Sequence, residues 1–375
     1  MFRVLGSQQL DFGIQYSSSN LTPPLMPEPR TPARILNSQA PIRICDNGGW
    51  TDTWFARHGR VLNIAVSPVV EVQLRIYNDR RETAPITIHA ENYGDHYSMS
   101  LPKGNYGRHP LIEAAFDCLP FPENQSIEMS IYSTAPAGCS TGTSAALTVA
   151  ILGALDCLTP GRMTPDELAA TAQRIETDFL HRQCGIQDQI AAAFGGVNFI
   201  EMHEYPYANV KRIDLPNVAE RELEARLALI YVGASHSSSD VHEAVIRSLE
   251  SAGPEAPQLK RLRDIATRSR DALWASDFAA FGRCMIENTD AQRDLHPGLV
   301  GTAHQQVIEV AREHGAVGWK VNGAGGEGGS VTLLCGPNAS ARRSMLREIE
   351  ATNPQFRNIP TRLNTSGLTV WDSPL

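Results

Sequence analysis

The apolar positions along this chain change period several times, and those changes divide it into elements. Residues 1 to about 35 show little periodicity and are rich in Ser, Pro and Gln, as in Ser17-Ser-Ser-Asn-Leu-Thr-Pro-Pro. They read as a leader, extended or partly ordered. β-Branched runs over 61–66, 69–76, 86–90 and 126–132, separated by turn residues, predict a mainly antiparallel sheet. A short helix is expected over 111–119. A second, over about 143–157, is apolar on every side and is therefore buried. Thr164-Pro-Asp-Glu combines an N-cap hydroxyl, proline at the first helical position and glutamate at the third, a capping box that starts a helix reaching about Leu180.

The second half opens with a strand over 227–232, followed by helices from about Ser239, Pro257 and Asp277 and another over 301–314. A strand over 316–321, a glycine-rich turn, a strand over 330–335, a helix over 339–350 and a strand over 359–363 close the order. Strand-helix-strand followed by strand-helix-strand is the split β-α-β pattern of ferredoxin-like domains, here enlarged by extra helices. The expected fold class is α+β. Its expected division is a leader (1–35), a first domain (36–222) and a second domain (223–375).

Composition narrows the function. Apolar residues make up 42% and charged residues 20% of the 375 positions, as in soluble globular proteins, and no run approaches the ~18 apolar residues of a membrane span. The formal net charge of −8 counts against a face for duplex nucleic acid, so small molecules are the expected partners, with neither nucleic acid nor membrane. Seven scattered cysteines without a C-x-x-C pair argue against both a disulfide framework and a zinc site. The first residues lack a basic stretch followed by an apolar core, so cytoplasm is the default location. A homodimer is allowed by this reading and not required.

Four segments place chemistry where a plain core would not need it. Over 136–146, Gly138 and Gly142 permit a tight turn, while Ser140, Thr141, Thr143 and Ser144 offer donors at the start of a buried helix. Such a turn either caps the helix or cradles phosphate on its unpaired first amides. Arg43-Ile-Cys-Asp-Asn-Gly-Gly-Trp-Thr-Asp is either an ordinary turn closed by an Asx contact or a grip for a sugar, with Trp50 covering a pyranose face and Asp52 accepting hydroxyls. Glu176 flanks the buried stripe of Leu168, Ala172 and Ile175, and Asp188 in Cys184-Gly-Ile-Gln-Asp-Gln-Ile falls in the first turn of a short helix. Five glycines in seven residues over 323–329 exceed what a hairpin needs and allow a second close approach to ligand.

In this order the segments resemble the GHMP sugar kinases, the superfamily of galactokinase, homoserine kinase, mevalonate kinase and phosphomevalonate kinase. The likeness is closest to heptose 7-phosphate 1-kinases and the kinase part of fucokinases. It rests on Arg43 with Gly48-Gly-Trp-Thr-Asp, Val61-Leu-Asn, Gly185-Ile-Gln-Asp-Gln with Ala191-Ala-Ala-Phe-Gly-Gly, and Lys320 with Gly323-Ala-Gly-Gly. The resemblance implies a first domain like the second domain of ribosomal protein S5. It also implies a loop of Gly138, Cys139, Ser140, Thr141, Gly142, Thr143 and Ser144 around the phosphates of ATP, and Mg²⁺ held by Ser144 and Glu176. Asp188 becomes the catalytic base and Arg43 the residue that steadies it or the migrating phosphoryl group. Gly49, Trp50, Asp52, Gly325 and Gly326 fall on the sugar side, and Lys103 and His236 are candidates for a distal phosphate. The implied activity is phosphorylation of an anomeric hydroxyl, with a heptose 7-phosphate first. The alternatives are a free-sugar 1-kinase acting on fucose or another hexose, or a catalytically silent sugar- and nucleotide-binding paralogue. Three departures stand out: Ser140-Thr141 where Gly-Leu is common, and Asn322 and Glu327 within the last glycine motif.

Overall fold

A computed structural model describes residues 30–79, 85–101, 104–233 and 238–374. Residues 1–29 of the expected leader lie outside the described residues, as do Lys103 and His236. In chain order the first half comprises β1 (Arg34–Asn47), β2 (Gly59–Tyr77), β3 (Ile86–Ala90), β4 (Asp95–Met99), α1 (Pro110–Cys118), β5 (Ser126–Ser133) and α2 (Thr143–Asp156). It continues with α3 (Pro165–Arg174), a π-helical turn (Ile175–Phe179), α4 (Gln187–Phe194), β6 (Val197–Glu204), β7 (Tyr207–Arg212) and α5 (Asn217–Arg226). The second half holds β8 (Leu227–Gly233), α6 (Ser238–Ala252), α7 (Pro257–Trp274), α8 (Phe278–Leu295) and α9 (Thr302–Glu313). Then come β9 (Gly318–Val321), β10 (Gly329–Leu334), α10 (Ala339–Thr352), β11 (Arg357–Ile359) and β12 (Thr369–Asp372).

The first sheet runs β12-β1-β2-β5-β3-β4, with β6 on β2 and β7 on β6. Its ladders are antiparallel except β3 against β5. The apolar runs over 61–66 and 69–76 are one strand, β2, which pairs with β6 along its first part and with β5 along its last. They look separate in sequence because Ser67-Pro68 interrupts them. Proline has no amide for the ladder, and the β1–β2 register shifts beside it, between Pro41 and Ile42. Against this sheet, α2 is buried from Ala145 to Leu155 apart from Leu147. Ile151 and Leu152 lie in the same core as Val72, Leu74 and Met129. Each such side chain stabilises the fold by about 1.5–3 kcal/mol.

The second sheet, β11-β8-β10-β9, is antiparallel throughout, the ferredoxin-like order expected from the strand and helix pattern. The division expected at 223–375 is crossed by the chain end. Leu363 bridges Val66, the Leu368 amide donates to Ala193 O, and β12 pairs with Leu36–Gln39 on the outer edge of β1. The physical reason is an edge strand whose backbone groups this tail satisfies. A continuous core joins the two sheets, with Ile42, Ile44, Leu62 and Phe199 meeting Leu229, Phe281 and Leu334.

Candidate active site

The loop between β5 and α2 is built as a cradle. Gly138, Ser140 and Gly142 all take left-handed φ, at 72°, 58° and 71°. Its carbonyls turn into the protein. Cys139 O accepts from Ser330 Oγ at 2.7 Å, Thr141 O accepts from the Arg43 amide at 2.9 Å, and Ser140 O accepts from Arg43 Nη1. The amides of Gly138–Ser144 donate to no acceptor among the described residues. Unpaired N–H groups at the N-terminus of a buried helix can hold an anion without a lysine. One expectation changes here: the Thr141 hydroxyl, expected as a donor, is buried, as is Cys139, while Ser144 is exposed in the first turn of α2. Ser140 occupies a conformation that favours glycine, at a cost of about 1 kcal/mol.

Arg43 and Asp188 come together against this cradle. Arg43 Nε donates to Asp188 Oδ1 at 2.8 Å and Nη2 to Oδ2 at 3.3 Å, a forked contact from a buried guanidinium. Burial opposes the Arg43 charge, but Asp188 and Asp46 outweigh it and push its pKa above the ordinary value. A Cβ placed on Gly142 would lie 3.1 Å from the Asp188 carboxyl carbon, so the acid touches the cradle itself. Asp188 owes its position to Asp52. Asp52 Oδ2 accepts from the amides of Ile186 and Gln187 at 3.0 and 3.1 Å, capping α4 from 134 residues away. Only glycine fits at 185, because a Cβ there would come within 2.1 Å of that oxygen. Burial, then the neighbouring Asp188 charge, pushes Asp52 up to about 6.

The helix expected to reach about Leu180 does so by passing after Arg174 into the π-helical turn, where the Leu180 amide donates to Ile175 O. Such turns re-aim side chains at functional positions. Here the turn carries Glu176, which is buried and accepts from Gln189 Nε2 at 2.8 Å. Burial raises the Glu176 pKa. Ser144 and Glu176 line the same pocket.

That pocket, of about 190 Å³, is walled by Arg43, Asp46, Trp50, Asp52, Asp188 and Gly323 among others. Gly49 is buried in the turn beneath it, its amide bonded to Asp46 O. Trp50 reaches the pocket, but its ring packs on His242, tilted by 36° with centroids 4.8 Å apart. Gly325 and Gly326 are not brought there. A Cβ on Gly325 would meet Leu299 O at 2.0 Å, and the Gly326 amide donates to that same oxygen, so these glycines serve packing against the 297–299 turn. Gly323 and Ala324 line the pocket in their place. The two departures in this loop also find reasons. Asn322 ties the sheets together, accepting from the Cys45 amide and Thr332 Oγ1 and donating to Ser330 Oγ. Glu327 is exposed and lies over Gly301, at the start of α9, where the helix N-terminus favours its charge.

Sequence reasoning offered Asp46 only as a closer of the turn; its carboxylate is buried against Lys320 Nζ at 3.2 Å and the Gly323 amide. It also missed His242 on α6, which carries no local signal. A second cleft was likewise unforeseen, lined by Ala90, Tyr93, His109, Leu111, Leu147 and Arg182 among others. Leu147 lies one helical turn beyond Thr143, so this apolar cleft adjoins the cradle.

Comparison with known proteins matches part of the chain to a family. Residues 110–196, from α1 through α4, match the family described as GHMP kinases N terminal domain. The chain is 25% identical over 304 residues to D-glycero-alpha-D-manno-heptose 7-phosphate kinase of Campylobacter jejuni, covering 79% of this chain and 88% of that protein. It is 24% identical over 338 residues to the bifunctional fucokinase/GDP-fucose pyrophosphorylase of Arabidopsis thaliana, spanning 84% of this chain but only 31% of that longer protein. The crystal structure of a D-glycero-D-manno-heptose 1-phosphate kinase from Bacteroides thetaiotaomicron superposes with a TM-score of 0.67, covering 90% of this chain and 98% of that one, at 22% identity. That likeness shows a shared fold.

Proposed function

We propose, for a chain whose residues 110–196 match the N-terminal domain of the GHMP kinases, an ATP-dependent sugar kinase that phosphorylates an anomeric hydroxyl, with a heptose 7-phosphate as the first candidate substrate. The observation that carries this reading is the Arg43–Asp188 pair standing against the cradle. Arg43 binds two cradle carbonyls and the acid together, so the anion site and the base keep a fixed distance. Positioning of this kind is most of what phosphoryl transfer requires.

In the proposed reaction the cradle amides hold the ATP phosphates, and the base of the nucleotide lies in the apolar cleft beside Leu147, with Arg182 at its edge. The sugar hydroxyl sits against Asp188. Its oxygen forms a bond to the γ-phosphorus as the bond from that phosphorus to the β–γ bridging oxygen breaks, leaving ADP. The hydroxyl proton passes to Asp188 and then to water. Because the transition state is loose, the proton can leave late and Asp188 need only be a modest base. Ser144 and Glu176 fit Mg²⁺: both are hard oxygen donors, and Gln189 fixes one Glu176 oxygen while leaving the other. When bound, the ion neutralises charge between the β- and γ-phosphates.

A free sugar is the second reading, and one observation favours it. Among the described residues lining the pocket, Arg43 is the one Lys or Arg, and Asp188 already engages it. The deciding experiment measures ADP release with ATP and Mg²⁺ against a panel of free sugars and sugar phosphates, then locates the new phosphate by NMR. Turnover of a heptose 7-phosphate at C1 supports the first reading, turnover of fucose or another hexose the second. Absence of sugar-dependent ADP release across the panel rejects both.

A further inference from the structure

Two asparagines sit in the middle of apolar strands. Asn63 in β2 and Asn198 in β6 face each other in the ladder, both 0% exposed, flanked by Leu62, Ile64, Val197 and Phe199 of the core. Packing alone gives no reason for amides there, because a buried amide costs free energy unless it is bonded. Asn63 Nδ2 donates to Gln187 O at 3.1 Å, and Asn198 Nδ2 donates to Asn63 Oδ1 at 3.2 Å. The direction of this relay is set at its far end. A backbone carbonyl only accepts, so Asn63 must turn its NH2 group toward Gln187, and its oxygen is left to accept from Asn198. The arrangement is kept at a cost, since Asn198 Oδ1 is buried without a partner among the described residues.

The relay ends on the peptide group that joins Gln187 to Asp188. Asp52 already holds the Gln187 amide, so the backbone on both sides of this residue is tied down. Arg43 is referred to the same strand, lying opposite Ala65 in the β1–β2 ladder, two residues from Asn63. β2 thus sets the place of both the acid and the guanidinium that meets it. Asn63 does not line the pocket and can act on the reaction only through Asp188. We propose that Asn63 is a positioning residue for phosphoryl transfer: oriented by Asn198, it fixes the peptide that carries Asp188, so that the carboxylate stays aligned with Arg43 and the cradle. This rests on the kinase reading above.

The test measures kcat per folded protein, KM for ATP and melting temperature for Asn63→Leu, which keeps the side chain's approximate size and removes both bonds. kcat should fall about 10- to 100-fold while KM for ATP stays within about threefold, because a displaced Asp188 loses alignment and the cradle does not. In the Asp188→Asn background the same substitution should slow the residual rate by less than about threefold. Combining Asn63→Leu with Asn198→Leu should recover most of the lost melting temperature, as neither amide is then left unpaired, without recovering kcat. Asn198→Leu alone leaves Asn63 without its orienting donor; it should show the same split at smaller amplitude and serves if Asn63→Leu does not fold. Lost stability with kcat unchanged, losses that multiply with Asp188→Asn, or kcat that returns with stability in the combined variant overturns the inference and leaves the kinase reading standing. A wild-type protein that releases no ADP with any sugar of the panel rejects both.

Discussion

At the scale of single residues, the site divides its acids by environment. Asp188 is fixed by a forked ion pair, and Asp188→Asn preserves a contact to Arg43 while removing the proton acceptor. That variant should bind ATP within a few-fold of wild type by calorimetry, yet release ADP in the presence of sugar about 10²- to 10⁴-fold more slowly. Asp52 behaves differently because it is buried beside another carboxylate. Its pKa of about 6 in the folded protein exceeds the ordinary 3.8, so the folded state holds its proton over a range in which the unfolded chain has lost it. Its contribution to stability therefore falls as pH rises from about 4 to 6 and is level above that, at a cost of about 3 kcal/mol by pH 7. Urea unfolding at several pH values should show Asp52→Asn with a flatter profile than wild type across this window.

At the scale of elements, the start of α4 carries most of the mechanism. The helix has eight residues, and the amides of its N-cap Ile186 and first residue Gln187 are bonded by a carboxylate that belongs to the β1–β2 connection. Gly185→Ala would put a methyl group into that contact. We expect a loss of about 2–4 kcal/mol in thermal or denaturant unfolding, together with at least about tenfold lower turnover, since Asp188 must shift with the helix end. The helices were readable where local chemistry announces them: the capping box at Thr164 forms as written, and α1, α2, α7, α8 and α9 start within a residue or so of their signals. β4, β6, β7, α5 and the π-helical turn were not. β7 and α5 have weak apolar patterns, and they are ordered by what they pack against.

At the scale of the molecule, a buried polar seam joins the two sheets. Lys320 in β9 pairs with Asp46 in β1, and Asn322 reaches the Cys45 amide beside it. Burial lowers the Lys320 pKa, with Asp46 opposing that shift. Lys320→Met leaves a buried carboxylate without its cation and should cost about 3–5 kcal/mol in denaturant unfolding. Adding Asp46→Asn should recover most of that loss, and a double-mutant cycle measures the coupling. The same seam sets the pocket's floor, through the bond from the Gly323 amide to Asp46, so recovered stability need not restore activity.

The sequence by itself determined the pieces: which runs are strands, where the buried helix starts, that a glycine- and hydroxyl-rich turn precedes it, and that Arg43, Glu176 and Asp188 stand out from their surroundings. These are effects of backbone sterics, capping and burial period that act within a turn or two of chain. Tertiary structure alone decided what those pieces are for. It turned Cys139 and Thr141 inward, set Gly325 and Gly326 to packing, spent half of the Asp52 carboxylate on α4, and packed the Trp50 ring against His242. Each outcome depends on a partner far away in the chain, 134 residues for Asp52 and 145 for Arg43 with Asp188. A local pattern cannot encode such a partner, because the energy that selects it comes from desolvated contacts made only when the sheets and helices close around them.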